Sequence, residues 1–350
     1  MILSSSRAHR TSANVIRKSR TNKRTLNRRR NIDTVAITSS SSANEVVFPV
    51  IGDIAKKAAA IATKSSTAAT TKSSLCSCLT VGTSLATMLN SQSALAFPIF
   101  ALASTVPVTL AYINPVYSFS VGYGLSVAAS SLLLLLSAQS QGIVLTQFCQ
   151  LHIVGGLIYG LRLGIFLAIR SKTWKDWGKR AKASPEAQNS KTFVQKTTVI
   201  LGCGFIYALM SAPMLFHYQS ANIVHNHVII KAGLALQWFG LILEAVADQW
   251  KYAHYQKNEG KFCMTGPYAY VRHPNYLGEM MFWGGLYVAG IPAMMAKLST
   301  FIPSTIGFAF IMFLMTMASK RGDKNALEKY QNSPGYAEYR AKSCSLVPGF

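Results

Sequence analysis

Residues 116–136 read VYSFSVGYGLSVAASSLLLLL and contain no charged side chain. A helix of about 20 apolar residues crosses the hydrocarbon core of a bilayer, so this stretch predicts a membrane-spanning helix. Further apolar stretches of similar length lie at about residues 95–113, 143–169, 193–216, 227–247, 280–296 and 299–317. The pattern predicts an all-α fold, a polytopic membrane helix bundle of six to seven transmembrane helices.

The composition of the 350-residue chain agrees with a membrane protein. Half of the residues are hydrophobic and only 13% are charged, against about 25% in soluble chains. The net charge of +23 does not indicate a nucleic-acid partner, because most Lys and Arg of the body lie between apolar stretches. They follow the third, fifth and seventh stretches, which places these segments on one side of the bilayer by the positive-inside rule.

The N-terminal region has a different composition. Residues 1–32 contain ten Lys or Arg and no acid, which is typical of an organelle transit peptide or a disordered tail. A cleavage-like pattern, Ala94-Leu95-Ala96, follows later. If the leader is not cleaved, it lies on the same side of the membrane as the other basic segments only if the chain has six spans. We expect a transit-like region (1–92), N-terminal transmembrane helices (93–142) and a main membrane domain (143–350). A plastid or mitochondrial membrane is favoured, and the endoplasmic reticulum stays open.

Acidic residues are rare at membrane depth, and the first four apolar stretches contain none. Glu244, Asp248 and Glu279 lie at or near span ends, where costly ionisable groups are functional candidates by default. Glu244, Asp248 and Lys251 are spaced to share one helix face. Arg162 has no acid on its own helix, so we expect it to pair with Glu244, Asp248 or a ligand phosphate.

The six Cys and seven His do not form a recognisable metal or disulfide pattern. No CxxC motif or zinc-type spacing is present, so the sequence predicts no metal site. His152 lies in an apolar run and is expected to be a packed, hydrogen-bonded histidine.

The segment richest in candidate functional residues is TGPYAYVRHPNYLGE (residues 265–279). Pro274 disfavours helix at the preceding residue, so Arg272 and His273 are expected in a turn, with a helix beginning near Asn275. The helix N-terminus beside two basic groups suits a phosphate or carboxylate. Asn275, Glu279 and Trp283 would share one helix face and could hold a nucleotide-like ligand.

This segment resembles the multi-pass membrane proteins grouped with the C-terminal domain of steroid 5-alpha-reductases, which are related to isoprenylcysteine carboxyl methyltransferase-like proteins. Supporting similarities are Leu161-Arg162-Leu163-Gly164 with Arg170, and the C-terminal pattern from Tyr336 to Pro348. The resemblance covers about residues 143–350.

The resemblance implies an enzyme, an NADPH-dependent oxidoreductase that reduces a carbon–carbon double bond of a steroid, isoprenoid or fatty-acyl substrate. Since no Gly-x-Gly-x-x-Gly motif follows a strand, a Rossmann domain is not the cofactor site. The implied cofactor contacts are Asp248, Lys251, Tyr270, Arg272, His273, Asn275, Tyr276, Glu279, Trp283, Arg321 and Arg340.

The proton donor is not fixed by the sequence. In steroid 5-alpha-reductases an early span carries a glutamate for this role, and the early spans of this chain contain no acid. Either Tyr159 or Tyr207 donates, or Glu279 does, or the substrate is not an enone.

Two other classes of function compete with the reductase. A membrane methyltransferase that uses S-adenosylmethionine also carries an Arg-His-Pro segment after a Gly-x-Tyr turn. A scaffold or transporter would keep the helices without needing this loop. The Asn275–Glu279 continuation and Asp248 favour the reductase over the methyltransferase.

Overall fold

The computed structural model describes residues 96–173, 192–220, 227–258, 260–295 and 297–346. Within these ranges the protein is all-helical, with eight α-helices and no β-strand. The predicted leader (1–92) and the first two residues of the cleavage-like pattern lie outside the described residues. The helices are α1 (Phe97–Thr105), α2 (Val121–Ser140), α3 (Gln147–Thr173), α4 (Phe193–Gln219), α5 (His227–Lys257), α6 (Pro274–Met294), α7 (Leu298–Tyr330) and α8 (Tyr336–Lys342).

Five of these helices, α2, α3, α4, α5 and α7, are long and apolar enough to cross a membrane. The chain is therefore a multi-pass membrane protein whose environment is a lipid bilayer, as its composition predicted. Helix α7 has 33 residues, which is longer than a bilayer requires. Its final turns, Lys320–Tyr330, are rich in charged residues, so the helix continues past its apolar part.

The first apolar stretch, 95–113, whose crossing decides between six and seven spans, is a broken helix. Helix α1 ends at Thr105 and continues as a 3-10 helix over Val106–Tyr112, with a proline in its first turn. Pro107 lacks an N–H and its ring crowds the preceding turn, which favours a break in the α-helix at this point. This segment is shorter than the five candidate spans.

Two helix starts follow from local sequence. Helix α6 begins at Pro274, close to the predicted start at Asn275, because proline suits the first turn of a helix. Helix α4 begins with a capping box, in which the side chain of Thr192 accepts from the backbone N–H of Gln195. The side chain of Gln195 in turn accepts from the backbone N–H of Thr192.

Helices α5 and α6 pack closely along an antiparallel contact lined by glycine. A Cβ added at Gly233 would meet Ala289, and one at Gly240 would meet Phe282. On α6, Gly278 and Gly285 lie in the same way against the α5 backbone. The glycines of each helix are seven residues apart, so they share one face and let the two backbones touch.

Helices α2 and α3 also pack closely through glycines. A Cβ at Gly124 would meet the backbone of Gly160 and Gly164, and one at Gly160 would meet Ala128. The glycines of the third apolar stretch therefore permit close helix packing.

A buried histidine pair joins three helices. His152 is fully buried, and its Nε2 lies 3.1 Å from the carbonyl oxygen of Leu286 while its Nδ1 lies 2.9 Å from Nδ1 of His217. A carbonyl only accepts, so His152 Nε2 carries the hydrogen and His217 Nδ1–H donates to His152. His152 is thus the packed, hydrogen-bonded histidine that the sequence predicted.

Adjacent glycines on α6 allow a matched stability test. Gly285→Ala should lower the free energy of unfolding by about 1–3 kcal/mol, because the new methyl group would force the α5 backbone away at Gln237. Gly284→Ala makes the same change beside open space, where the nearest atom is a Leu236 methyl group at 3.8 Å. Thermal unfolding in detergent measures both. Equal midpoints for the two variants would contradict the close contact.

Candidate functional site

One guanidinium in the bundle pairs with two buried acidic side chains. Arg162 on α3 donates through Nη1 to Asp248 Oδ2 at 2.9 Å, and through Nη2 to Glu244. The two acids are one turn apart on α5 and are 2% and 5% exposed. The predicted pairing of Arg162 is therefore confirmed, and we call these three residues the arginine cluster.

The arginine cluster is not fully satisfied. Two of its buried atoms, Arg162 Nε and Glu244 Oε2, have no hydrogen-bond partner. Buried polar groups are nearly always paired, so these two unpaired atoms need an explanation. A polar ligand group would be one.

A second buried group lies between α2, α3 and α6 and is centred on the hydroxyl of Tyr123. This hydroxyl donates to Glu279 Oε1 at 2.8 Å and accepts from Trp283 Nε1 at 2.7 Å. The Tyr159 hydroxyl lies 3.3 Å from it. Since the only hydrogen of Tyr123 points at Glu279, Tyr159 is the donor in this last contact. We call Tyr123, Tyr159, Glu279 and Trp283 the tyrosine network.

Aromatic packing holds the tyrosine network in place. The Tyr159 ring stacks on Phe282 with centroids 3.8 Å apart and planes within 7°. The other face of the network is filled by Tyr207, whose ring centroid is 5.1 Å from that of Tyr123. The Arg162 guanidinium lies 5.9 Å from the centre of the Tyr159 ring. The arginine cluster and the tyrosine network are thus neighbours.

The loop before α6 is fastened to the end of α7. Arg272 donates to Asp323 through Nε at 2.9 Å and Nη2 at 3.1 Å, and His273 Nε2 lies 3.0 Å from Asp323. Arg272 Nη1 donates to the backbone carbonyls of Ser343 and Arg340. We call Arg272, His273 and Asp323 the loop junction.

Burial decides the charge state of His273. Removal from water lowers its pKa, despite the opposing effect of the Asp323 carboxylate. The imidazole is therefore neutral near pH 7, and its Nε2–H donates to Asp323. The hydrogen bonds to Asp323 also raise the pKa of Arg272, so the junction contains one cation and one anion.

Asn275 and Lys251 both contact Tyr268, which lies in the loop before α6. The Tyr268 hydroxyl donates to Asn275 Oδ1 at 3.3 Å, and the Lys251 ammonium lies 5.5 Å from the centre of the Tyr268 ring. Tyr276 stacks on His273 with planes within 11°. These residues connect the loop junction to the first turn of α6.

Residues 118–343 match the family described as protein of unknown function (DUF1295). The chain belongs to the DUF1295 family. A search of curated proteins and a search of solved structures each found no match. The DUF1295 match includes the arginine cluster, the tyrosine network and the loop junction, and it begins after α1.

Within the DUF1295 region, eight of the eleven residues predicted to contact a cofactor fall into three groups. The other three are those that contact Tyr268 or His273, namely Lys251, Asn275 and Tyr276. Asp248, Glu279 and Trp283 are buried among other polar groups of the bundle, and Arg272 and His273 are engaged by Asp323. Exposed side chains form the third group and comprise Tyr270, Arg321 and Arg340. Their role in binding stays a prediction.

The predicted proton donors are also separated. Tyr159 and Glu279 belong to the tyrosine network, whereas the Tyr207 hydroxyl donates to the backbone carbonyl of Ser118 at 2.8 Å. Sequence reasoning missed Tyr123 and Asp323. A tyrosine in an otherwise apolar span needs a buried hydrogen-bond partner, and this signal would have found Tyr123.

Proposed function

We propose that this DUF1295 protein is a membrane-embedded, NADPH-dependent reductase that acts on a carbon–carbon double bond of a lipid-like substrate. The observation that carries the proposal is the Tyr123 hydroxyl, held between Glu279 and Trp283 in a water-poor core. Hydride addition to a double bond conjugated with a carbonyl needs a donor near the carbonyl oxygen, and a dry site makes that hydrogen bond strong.

The polar groups around this core fit a dinucleotide. The unpaired Glu244 Oε2 can accept from a carboxamide or ribose hydroxyl, and the unpaired Arg162 Nε can donate to an oxygen. Asn275 adds an amide on the same side of α6. The exposed guanidinium groups of Arg321 and Arg340 suit phosphates by charge and geometry. When bound, NADPH supplies a hydride.

The side chains of the tyrosine network have distinct roles in this proposal. Tyr123 presents its hydroxyl hydrogen to the substrate oxygen, in place of its present bond to Glu279. Trp283 Nε1–H and the Tyr159 hydroxyl both donate to the Tyr123 oxygen, which fixes its position and stabilises negative charge on it. In the resting site Glu279 accepts the hydrogen bond from the Tyr123 hydroxyl. Tyr123 thereby replaces the early-span glutamate of steroid 5-alpha-reductases.

One observation favours the alternative, a methyltransferase using S-adenosylmethionine. Buried carboxylates outnumber guanidinium groups at the site, since Glu244, Asp248 and Glu279 face one Arg162 within the arginine cluster and tyrosine network. Such an excess of acid suits a cationic ligand, and the sulfonium and amino groups of S-adenosylmethionine are cations.

We further propose that α6 crosses the bilayer as a sixth span. It runs antiparallel to α5 along the glycine contact. The loop junction supports this, because Arg272 at the start of α6 meets Asp323 near the end of α7. Arg272 and Asp323 can lie on the same side of the bilayer only if α6 crosses it and α7 crosses back. The basic ends of α3, α5 and α7 then lie on the same side of the membrane, as the positive-inside rule requires. The basic leader favours a plastid or mitochondrial membrane for this protein.

Ligand-induced stabilisation tests the function. The purified protein in detergent should unfold at a higher temperature with NADPH, since a ligand at a hundredfold excess over Kd adds about 2.7 kcal/mol. NADH should stabilise less, because it lacks the 2′-phosphate, and S-adenosylmethionine should not stabilise. Asn275→Ala should remove the NADPH effect, because the Asn275 amide is one of the proposed cofactor contacts.

Asn325→Ala is the matched control, because Asn325 is exposed on α7 and lies outside the site. It should keep the full NADPH response. Stabilisation by S-adenosylmethionine alone would reverse the order of the two functions, and no response to any of the three ligands would reject both.

A further inference from the structure

We propose that Asp323 is a positioning residue that sets the first turn of α6, and that Arg272 and His273 hold this carboxylate instead of a ligand phosphate. The inference rests on the proposed function only for its readout in nucleotide affinity. The structural part concerns the loop junction and can be tested without a ligand.

Asp323 is the point on which the junction converges. Its two carboxylate oxygens accept from Arg272 Nε and Nη2 in a two-point contact, and Oδ1 is also within 3.0 Å of His273 Nε2. The side chains of Arg272, His273 and Asp323 are all less than one fifth exposed. Paired bonds of this kind fix direction as well as distance.

The backbone carries a second connection. Cys344 N–H donates to Tyr270 C=O at 3.0 Å, Arg272 N–H donates to Cys344 C=O at 2.8 Å, and His273 N–H donates to Ser345 C=O at 3.2 Å. Val271 and Cys344 form an isolated parallel bridge. The C-terminal segment is therefore bound to the same loop that Asp323 holds.

Fixing His273 fixes the start of α6. His273 is the N-cap residue, and its carbonyl accepts from Leu277 N–H at 3.0 Å in the first turn. Its ring lies against the α7 backbone, where a Cβ at Gly322 would clash with it. Asn275 and Glu279 follow within two turns, so a shift of His273 would move both.

The partners of Arg272 argue against a direct phosphate contact. Nε, Nη1 and Nη2 all donate within the protein, to Asp323, Arg340 and Ser343. A phosphate could replace Asp323 only by leaving its carboxylate without the guanidinium. The exposed Arg321 and Arg340 side chains offer cations without that loss.

Nucleotide affinity distinguishes a loop junction that positions α6 from one that binds the ligand phosphate directly. Asp323→Asn should raise Kd for NADPH and for NADH by the same factor, about tenfold, because it removes a charge-assisted contact that positions the site. Arg272→Gln should do the same and leave the NADPH/NADH ratio unchanged. The double variant should be no worse than either single variant, since both break one junction.

Two further variants guard against a general loss of structure. Asp323→Glu keeps the carboxylate and should recover part of the affinity. Glu328→Gln removes the same charge from an exposed position five residues further along α7 and should bind as the wild type does.

Hydrogen exchange provides the readout that needs no ligand. The amides of Arg272 and His273, which bond to Cys344 and Ser345, should exchange faster in Asp323→Asn and at the wild-type rate in Glu328→Gln. Unchanged exchange in Asp323→Asn would overturn the proposal, as would a selective loss of NADPH over NADH in Arg272→Gln. If wild-type protein binds neither nucleotide, the proposed function fails while the exchange result still decides this inference.

Discussion

Replacing Arg162 with alanine should lower the free energy of unfolding by about 3–5 kcal/mol, the usual cost of leaving buried charge without its partner. Both Glu244 and Asp248 depend on this one guanidinium, and each is at least 95% buried. The expected loss is therefore at the upper end of this range. Unfolding in detergent micelles, followed by tryptophan fluorescence, measures it.

Lys172→Ala is the control, because Lys172 is exposed near the end of the same helix and should change stability by less than about 0.5 kcal/mol. A second comparison isolates the charge. In a Glu244→Gln, Asp248→Asn background, Arg162→Ala should cost much less, since no buried carboxylate remains to be compensated. An equal cost in both backgrounds would mean that Arg162 stabilises the bundle by packing alone.

The arginine cluster could be predicted from sequence because few alternatives existed. Arg162 lies on an apolar helix without an acid, and Glu244 and Asp248 lie one turn apart on another. Opposite charges at membrane depth must find each other. The α-helical bundle was predictable for a similar reason, since apolar stretches of bilayer length have few other structures available.

The breaks and contacts that depend on tertiary structure were harder to predict. Hydropathy alone made 95–113 look like a span, and only Pro107 indicated that the helix stops. Asp323 was overlooked because it lies among polar residues at a helix end, and its partner Arg272 is 51 positions away. Arg272 and His273 look like an anion site beside a helix N-terminus, and in the structure both contact the Asp323 carboxylate.

Tyr123 was also missed because its contacts depend on tertiary structure. Its hydroxyl becomes important only when α2 and α6 pack together and place it between Glu279 and Trp283. The spacing within α2 carries no information about that contact. The early spans contain no acidic residue, although a tyrosine hydroxyl can also donate a proton.

Tyr123→Phe should lower kcat by about 10²–10⁴-fold, the usual contribution of a positioned proton donor. The substitution removes one oxygen and keeps the ring that packs on Tyr207 and Trp283. NADPH-dependent reduction can be measured with a panel of lipids that carry a double bond conjugated with a carbonyl. Thermal stabilisation by NADPH should persist in the variant, because the cofactor contacts proposed above do not include this hydroxyl.

Tyr218→Phe removes a hydroxyl from another buried tyrosine, one bonded to Ser137 at 3.0 Å, and should leave kcat unchanged. Tyr207→Phe tests the remaining early candidate; its hydroxyl is committed to the Ser118 carbonyl, so we expect only a stability loss of about 1 kcal/mol. A large fall in kcat for Tyr207→Phe with full activity in Tyr123→Phe would transfer the donor role to Tyr207. We expect Tyr123 to be the donor because its hydrogen, which now points to Glu279, can turn to a substrate oxygen.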